Sequence, residues 1–240
     1  MIRLPENTTV FDDGEAVARA AAGHLRTLCE DAPNQRFAVC LSGGSTPKRL
    51  YTLLARPDYA TLPWSRLHWF FGDDRAVPWD DPLSNVRMVR EAFGTPSPIP
   101  ETHLHPIPTA DGPEAGARRY EATLKAFYGA ETLDPARPLF DLVLLGLGED
   151  GHIASLFPGK AALDETRAWA AAVPEAGMTP FVPRVTLTYP VLASARSVLF
   201  LVSGAGKQDP LARLSQGEDL PVGRIGGSPL WFVDRAAAGA

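Results

Sequence analysis

The sequence predicts an α/β fold built on a mainly parallel β-sheet with helices on both faces. Apolar runs such as RFAVCLS (36–42) and FDLVLLG (140–146) lack the polar alternation of half-exposed strands, so both of their faces should be buried. These runs alternate with segments of helical periodicity. The length of 240 residues suits a single α/β domain, and no internal repeat interrupts it.

The first half of the chain alternates helix and strand, as this fold requires. Its predicted elements are a helix over 16–30 with Asp12 or Asp13 as N-cap, strands over 36–42 and 67–72, a short helix from Pro47, and a helix over 85–93 capped by Ser84. Residues 94–113 are so rich in proline that a long ordered surface connection is expected there, without any regular element.

The second half repeats the alternation. Its predicted elements are a helix over 115–129, strands over 140–146, 168–173, 184–189, 197–204 and 230–234, a helix after Gly206 and another around 222–225. All of these strands are expected to belong to the mainly parallel sheet.

Composition and charge restrict the class of ligand. The net charge of −5, without a block of Lys or Arg, predicts no nucleic-acid partner, so any anionic ligand should be small. Cys29 and Cys40 form no C-x-x-C pattern and are expected to be buried, reduced thiols. Residues 1–10 lack a signal-peptide pattern, and no apolar run approaches about 20 residues. We therefore expect a soluble, cytoplasmic protein with no membrane partner.

Ligands of such sheets bind outside the carboxyl ends of the strands, and four strand ends carry polar residues. At the first end, Gly43 and Gly44 permit close backbone approach, Ser45 and Thr46 add hydroxyls, and Pro47 opens a helix whose N–H groups face the loop. This pattern predicts a phosphate-binding turn, although a plain tight turn would look similar. It is not a Walker A motif, which requires G-x-x-x-x-G-K-[ST].

The second and fourth strand ends supply cations. Arg75 can bind phosphate oxygens, with Asp73 or Asp74 orienting it, unless these charges form a solvated cluster. Lys207, after SGAG, is a second cation or an exposed surface lysine. His103 and His105 form an H-x-H pattern without further ligands beside it, so no metal site is predicted.

The third end, GLGEDGHIASLFPG (146–159), contains the G-x-G-x-x-G pattern of dinucleotide-binding turns. Glu149 and Asp150 would repel a pyrophosphate there, which argues against NAD. The alternative is that the glycines let the chain turn and present His152 as a general base, with Asp150 holding its ring. Ser155 lacks a G-x-S-x-G elbow, so we expect a structural role rather than a nucleophile.

In order along the chain, LSGGSTPKRLY, FFGDDRAVPWDDPLSN, GLGEDGHIASLFPG, PRVTLT and SGAGK resemble the 6-phosphogluconolactonases, whose wider group includes glucosamine-6-phosphate isomerases/deaminases. The resemblance implies a three-layer α/β/α, Rossmann-like single domain over 1–240 without an obligate cofactor. It also implies hydrolysis of 6-phosphoglucono-1,5-lactone to 6-phosphogluconate in the oxidative pentose phosphate pathway. The small-molecule sugar-phosphate lactone is the only partner it implies.

The resemblance also implies residue roles. His152 is the general base beside Asp150, and the phosphate and sugar contacts are Gly44, Ser45, Thr46, Arg75 and Lys207, with Arg184 as a further anion ligand. Asn85 either shapes the pocket or only begins a helix. Asp74 stands where the family commonly has Glu, which leaves the reach of this carboxylate open.

Two alternative functions remain open. An isomerase or deaminase on the same scaffold would follow GHIA with a Phe-Asn-Glu-Pro type sequence, whereas this chain has GHIASLFPG, the lactonase form. A non-catalytic sugar-phosphate sensor would need only the phosphate site, and it would normally carry a DNA-binding module, for which the sequence has no signal.

Overall fold

Ten strands form two sheets in the computed structural model, which describes residues 2–32 and 36–240. The strands are β1 (Thr8–Phe11), β2 (Phe37–Leu41), β3 (Leu67–Phe71), β4 (Asp73–Arg75), β5 (Leu104–His105), β6 (Phe140–Leu145), β7 (Ala170–Val173), β8 (Arg184–Leu187), β9 (Ala195–Val202) and β10 (Leu230–Asp234). The large sheet has the order β1-β10-β9-β6-β2-β3-β5, and all of its strand pairs are parallel. The predicted fold class is confirmed.

Helices flank the large sheet. They are α1 (Gly14–Asp31), α2 (Ser45–Leu54), α3 (Asn85–Phe93), α4 (Pro113–Tyr128), α5 (Tyr189–Ala193), α6 (Gln208–Ser215) and α7 (Arg235–Ala238). Two predicted N-caps are confirmed: Asp13 accepts the N–H of Ala16 at 2.8 Å, and Ser84 accepts that of Val86 at 3.1 Å. Within the described residues, no helix is both long and apolar enough to cross a bilayer.

A second, three-stranded antiparallel sheet was not predicted. Its order is β4-β8-β7, so the prediction that segments 168–173 and 184–189 join the parallel sheet is wrong. The chain leaves the large sheet at Gly72, whose carbonyl accepts the N–H of Leu187. The residues that follow pair with β8, which brings Arg75 opposite Arg184. The sequence indicated strands at 168–173 and 184–189 but not their pairing partners. Strand β8 pairs with the nearby β7 and also with β4, which lies far from it along the chain.

Several other boundaries also differ from the sequence prediction. The proline-rich connection contains a 3₁₀ turn and the two-residue strand β5, which pairs with β3 because the short stretch between Pro100 and Pro106 is free of proline. The helix expected around 222–225 is a 3₁₀ turn over Pro221–Arg224. Strands β1 and β4 and helices α5 and α7 had no sequence prediction. Cys29 and Cys40 are free and buried, as expected.

Candidate active site

A cavity of about 300 Å³ opens where β2, β3, β6 and β9 end, which is the sheet edge that the sequence singled out. The predicted site residues that line it are Gly43, Gly44, Asp73, Arg75, His152, Arg184 and Lys207. Asp150 lies directly behind His152 and is bonded to it. Ser45 and Thr46 do not line the cavity, which differs from their predicted direct contact.

Ser45 and Thr46 form the first turn of α2, immediately after Gly44. The φ angle of Gly44 is +104°, a conformation that favours glycine, and it lets the chain enter the helix from the cavity floor. The first intrahelical bond is the Lys48 N–H to the Gly44 carbonyl at 3.1 Å. The N–H groups of the preceding residues have no intrahelical partner, so this helix end carries a partial positive charge beside the cavity.

His152 and Asp150 are joined by a short side-chain hydrogen bond in the loop after β6. Nδ1 of His152 lies 2.5 Å from Oδ1 of Asp150, which also accepts the backbone N–H of His152 at 3.1 Å. Burial raises the pKa of Asp150, but the hydrogen bonds and charge of His152 outweigh it and lower the pKa below its ordinary value. The ionised carboxylate can only accept, so the proton lies on Nδ1 and the lone pair on Nε2. The His152 side chain is 16% exposed and can meet a ligand.

The glycines of the G-x-G-x-x-G pattern serve this histidine. A Cβ atom on Gly148 would overlap the imidazole ring of His152, so only glycine allows the ring to lie against the backbone there. The Gly148 N–H donates to the His152 carbonyl at 2.9 Å and closes the loop. The ring of Phe157 packs against the other side of the imidazole, with 4.5 Å between centroids. The motif is therefore a histidine-presenting loop rather than a pyrophosphate-binding turn.

Arg75 and Arg184 are cross-strand neighbours and both line the cavity. Nη1 of Arg75 donates to the Leu83 carbonyl at 2.7 Å and to Oδ1 of Asn85 at 3.1 Å, while Nη2 of Arg184 donates to the Pro180 carbonyl at 3.0 Å. Their Nε atoms are buried and have no hydrogen-bond partner among the described residues. Burial lowers the pKa of Arg184, with Asp73 opposing that effect. An arginine nevertheless stays protonated, so this pair is a dense cationic group.

Asp73 and Asn85 connect these arginines to the cavity wall. The Asn85 amide donates from Nδ2 to the Asp73 carbonyl at 2.9 Å and accepts from Arg75 through Oδ1. A Cβ atom on Gly43 would collide with the same Oδ1, so Gly43 gives Asn85 its room. Asn85 therefore begins α3 and also lines the cavity, so both of the alternatives that the sequence left open hold.

Asp74 is fully buried and does not line the cavity. Its Oδ1 accepts the backbone N–H groups of Arg75 at 2.8 Å and Asn85 at 2.7 Å, and Oδ2 accepts the hydroxyl of Ser84 at 3.0 Å. Burial raises the pKa of Asp74 to about 6, although these hydrogen bonds oppose the rise. The Asp74 carboxylate thus reaches the start of α3. It stabilises the local backbone around Arg75 and Asn85 and does not face a ligand.

Lys207 lines the cavity from the side of β9. It ends the 3₁₀ turn Ala205–Lys207, which begins after Gly204. Glu149 and Met178 also line the cavity. Neither residue was predicted as a cavity residue: Glu149 was considered only as a charge that would repel a pyrophosphate, and no sequence pattern indicated Met178, which lies in the loop between β7 and β8.

The H-x-H histidines lie at the far edge of the large sheet. Nδ1 of His68 is 3.0 Å from Nε2 of His105, and the rings of His68 and His103 stack at 4.1 Å. Burial lowers the pKa of both His68 and His105 to about 4. Over residues 2–32 and 36–240, no three His, Cys, Asp or Glu side chains are arranged to hold a metal ion.

The arrangement combines two chemical capabilities in one cavity. Three cations and a helix N-terminus can hold a dianionic group, and charge-assisted bonds from arginine suit phosphate oxygens. A carboxylate-oriented imidazole can remove a proton from water near neutral pH. Together they suit a reaction in which one end of an anionic molecule is anchored and the other end is attacked by water.

The comparisons with known proteins point in the same direction. A family model described as glucosamine-6-phosphate isomerases/6-phosphogluconolactonase matches residues 12–231. The chain is 43% identical over 206 residues to a 6-phosphogluconolactonase of Synechocystis sp., covering 83% of this chain and 82% of the relative. It is 38% identical to one of Nostoc sp., covering 99% and 98%. The solved 6-phosphogluconolactonase of Trypanosoma cruzi aligns with a TM-score of 0.85 at 29% identity, covering 99% of this chain and 97% of that one.

Proposed function

Because the chain belongs to the glucosamine-6-phosphate isomerase/6-phosphogluconolactonase family, we propose that it hydrolyses 6-phosphoglucono-1,5-lactone to 6-phosphogluconate in the oxidative pentose phosphate pathway. The observation that carries the proposal is the presence of the Asp150–His152 pair and the Arg75–Arg184 pair in one cavity. Hydrolysis of an activated ester requires a positioned water, a base and an anchor for the remote phosphate, and this cavity offers the base and the anchor.

The base acts through Nε2 of His152. It removes a proton from water as the water oxygen attacks the lactone carbonyl carbon, giving a tetrahedral oxyanion and an imidazolium that Asp150 stabilises through Nδ1. The ring C–O bond then breaks, and the leaving ring oxygen takes the proton from Nε2. The products are a hydroxyl group and a carboxylic acid, which ionises and releases a proton. His152 returns to its starting state.

The phosphate anchor is formed by Arg75, Arg184 and Lys207. Each arginine keeps a buried Nε donor without a partner among the described residues, so neither guanidinium group is fully hydrogen-bonded by the protein. The turn at Gly43 and Gly44 lets backbone N–H groups approach the same phosphate, and Ser45 and Thr46 form the first turn of α2 without lining the cavity. Asp73 also lines the cavity and acts electrostatically on Arg184, so it offsets part of the positive charge there.

Acid release from freshly prepared 6-phosphoglucono-1,5-lactone tests this function. A pH-stat measures the rate above spontaneous hydrolysis, with His152→Ala as the matched control protein. We expect a wild-type rate far above background and a variant rate near it. Ammonia release from glucosamine 6-phosphate, measured in parallel, tests the deaminase alternative. Binding of both sugar phosphates without turnover of either would favour a non-catalytic sensor.

A further inference from the structure

Ser155 lies three residues after His152 and is fully buried beneath the cavity. Its hydroxyl donates to Oδ2 of Asp73 at 2.5 Å, and its backbone N–H donates to Oγ1 of Thr186 at 3.2 Å. Asp73 and Thr186 are themselves paired across β4 and β8. Ser155 therefore binds both members of one cross-strand pair, and through them it joins the histidine loop to the small sheet.

The loop around Ser155 is held in an unfavourable backbone conformation. Ala154 has a φ of +48°, in the left-handed region that a non-glycine residue adopts at a cost. This conformation turns the chain so that His152 lines the cavity while Ser155 is directed into the interior. Such a conformation persists only where its surroundings hold it: the Leu156 N–H donates to the Ile153 carbonyl at 2.9 Å across the turn, and the two hydrogen bonds of Ser155 tie the turn to the small sheet.

The acceptor of the Ser155 hydroxyl is the only carboxylate among the described residues that both lines the cavity and is buried, and it acts electrostatically on Arg184. Oδ2 of Asp73 accepts from Ser155, and Oδ1 of Asp73 lies 3.4 Å from Nδ2 of Asn85. Oδ1 of the same asparagine accepts from Arg75. A change in the position of the carboxylate would therefore move a charge that acts on Arg184, and it would disturb the Asn85 side chain that binds Arg75. The hydroxyl of Ser155 fixes that position.

We propose that Ser155 is a positioning residue for the phosphate end of the substrate: it holds Asp73 so that Arg75 and Arg184 keep the geometry that binds the phosphate. The proposal rests on the proposed function, because it assumes that this cavity binds a sugar phosphate. It assigns Ser155 no contact with substrate and no covalent step.

The test compares Ser155→Ala with Thr188→Val. Thr188 is also fully buried, and its hydroxyl donates to the Ala168 carbonyl at 2.7 Å and to the Trp169 carbonyl at 3.4 Å. Like Ser155 it does not line the cavity, but its acceptors are main-chain carbonyls rather than Asp73. Calorimetry measures the Kd of 6-phosphogluconate and of gluconate for each protein, and acid release gives kcat and KM. We expect Ser155→Ala to raise the Kd of 6-phosphogluconate and the KM of the lactone about 10- to 100-fold, the range of a hydrogen bond to a charged group.

The Ser155→Ala value of kcat should stay within about three-fold, and the pH dependence of kcat should not move, because the Asp150–His152 pair is unchanged. Thr188→Val should lower the melting temperature without changing the Kd. The proposal is wrong if both variants affect the Kd equally, or if Ser155→Ala lowers kcat while KM stays constant.

A double-mutant cycle makes the test independent of the fold of one variant. In an Asp73→Asn background, Ser155→Ala should add little further loss of 6-phosphogluconate affinity, since its acceptor charge is already gone. Additive losses would contradict the proposal.

If Ser155→Ala does not fold, Ser155→Cys keeps a weak donor of similar size and should show a smaller rise in Kd. Should wild type bind 6-phosphogluconate but hydrolyse no lactone, the proposed function fails while the affinity comparison still decides the role of Ser155.

Discussion

Nδ1 of His152 and Oδ1 of Asp150 lie 2.5 Å apart, and the same oxygen accepts the backbone N–H of His152. One carboxylate therefore fixes both the ring and the main chain of the candidate base. Nε2 is the nitrogen left for a water molecule. Substitution of His152 therefore tests the base itself, and substitution of Asp150 tests the group that orients it.

Replacing His152 with Ala should lower kcat about 10²- to 10⁴-fold, the usual contribution of a positioned general base. Affinity for 6-phosphogluconate should remain, since the arginines are untouched. Steady-state kinetics and calorimetry on the folded variant check both statements. A kcat within about three-fold of wild type would leave less than ~0.7 kcal/mol for this residue and would remove it as the base.

Replacing Asp150 with Asn should also lower kcat, because a neutral amide stabilises an imidazolium less and permits the wrong ring tautomer. We expect a loss of about 10-fold or more, up to the loss seen for His152→Ala. Asp134→Asn is the matched control, since Asp134 likewise accepts the N–H two residues later, at 2.9 Å from Ala136, in an exposed turn. Equal kcat values for the two variants would mean that the Asp150 charge has no part in the reaction.

Arg75→Ala or Lys207→Ala should narrow the preference for the phosphorylated lactone over gluconolactone. Two charge-assisted contacts of about 1.5–3 kcal/mol each correspond to a preference of about 10²- to 10⁴-fold, and one variant should remove about 10-fold or more of it. The measurement is kcat/KM for both lactones. Arg19→Ala, which removes an exposed arginine paired with Glu15 on α1, is the control and should leave the ratio unchanged. An unchanged ratio in both cavity variants would assign these cations to another role.

Gly148→Ala should impair catalysis because the added methyl group overlaps the His152 ring. We expect kcat to fall at least about 10-fold, as the base is displaced from its near-attack position. Gly23→Ala is the control: it lies within α1, a Cβ there meets nothing within 4 Å, and the change should stabilise the helix by up to about 1 kcal/mol. Thermal melts and kinetics on both variants separate displacement of the base from a general effect of the added methyl group.

Asp74→Asn should change the dependence of stability on pH. The folded-state pKa of about 6 exceeds the ordinary 3.8, so the contribution of Asp74 to stability is complete below the lower value and is lost as pH rises through the higher one. Asparagine does not titrate. The free energy of unfolding of the variant minus that of wild type should therefore increase between about pH 4 and 6, by at most about 3 kcal/mol, and then level off. Denaturant titrations at several pH values measure it, and a decrease over this range would show that the hydrogen bonds outweigh burial.

The sequence was most informative where chemistry and position coincide. Strand-end glycines, Arg75, His152 and Lys207 could be predicted because parallel strands deliver their carboxyl ends to one edge. The antiparallel pairing of β4 with β8 could not be predicted, because it depends on contacts between distant segments. For the same reason, the sequence did not show that Arg75 and Arg184 are neighbours. Met178 carries no reactive group, so nothing in a sequence pattern marks it as a cavity residue. The sequence predicted a structural role for Ser155, but it could not show that the acceptor of the Ser155 hydroxyl is Asp73, because that contact joins distant segments of the chain.

The two sheets divide the site between them. His152 belongs to the loop after β6 of the large sheet, whereas Arg75 and Arg184 belong to the small one. For protein engineering, the β4–β8 ribbon can be redesigned to change the two arginines of the anion site, while Lys207 and the Gly43–Gly44 turn, which follow strands of the large sheet, are kept with His152. The same layout offers evolution a route to new substrates through a few residues of one short ribbon, provided that the Ser155 connection between the halves is preserved.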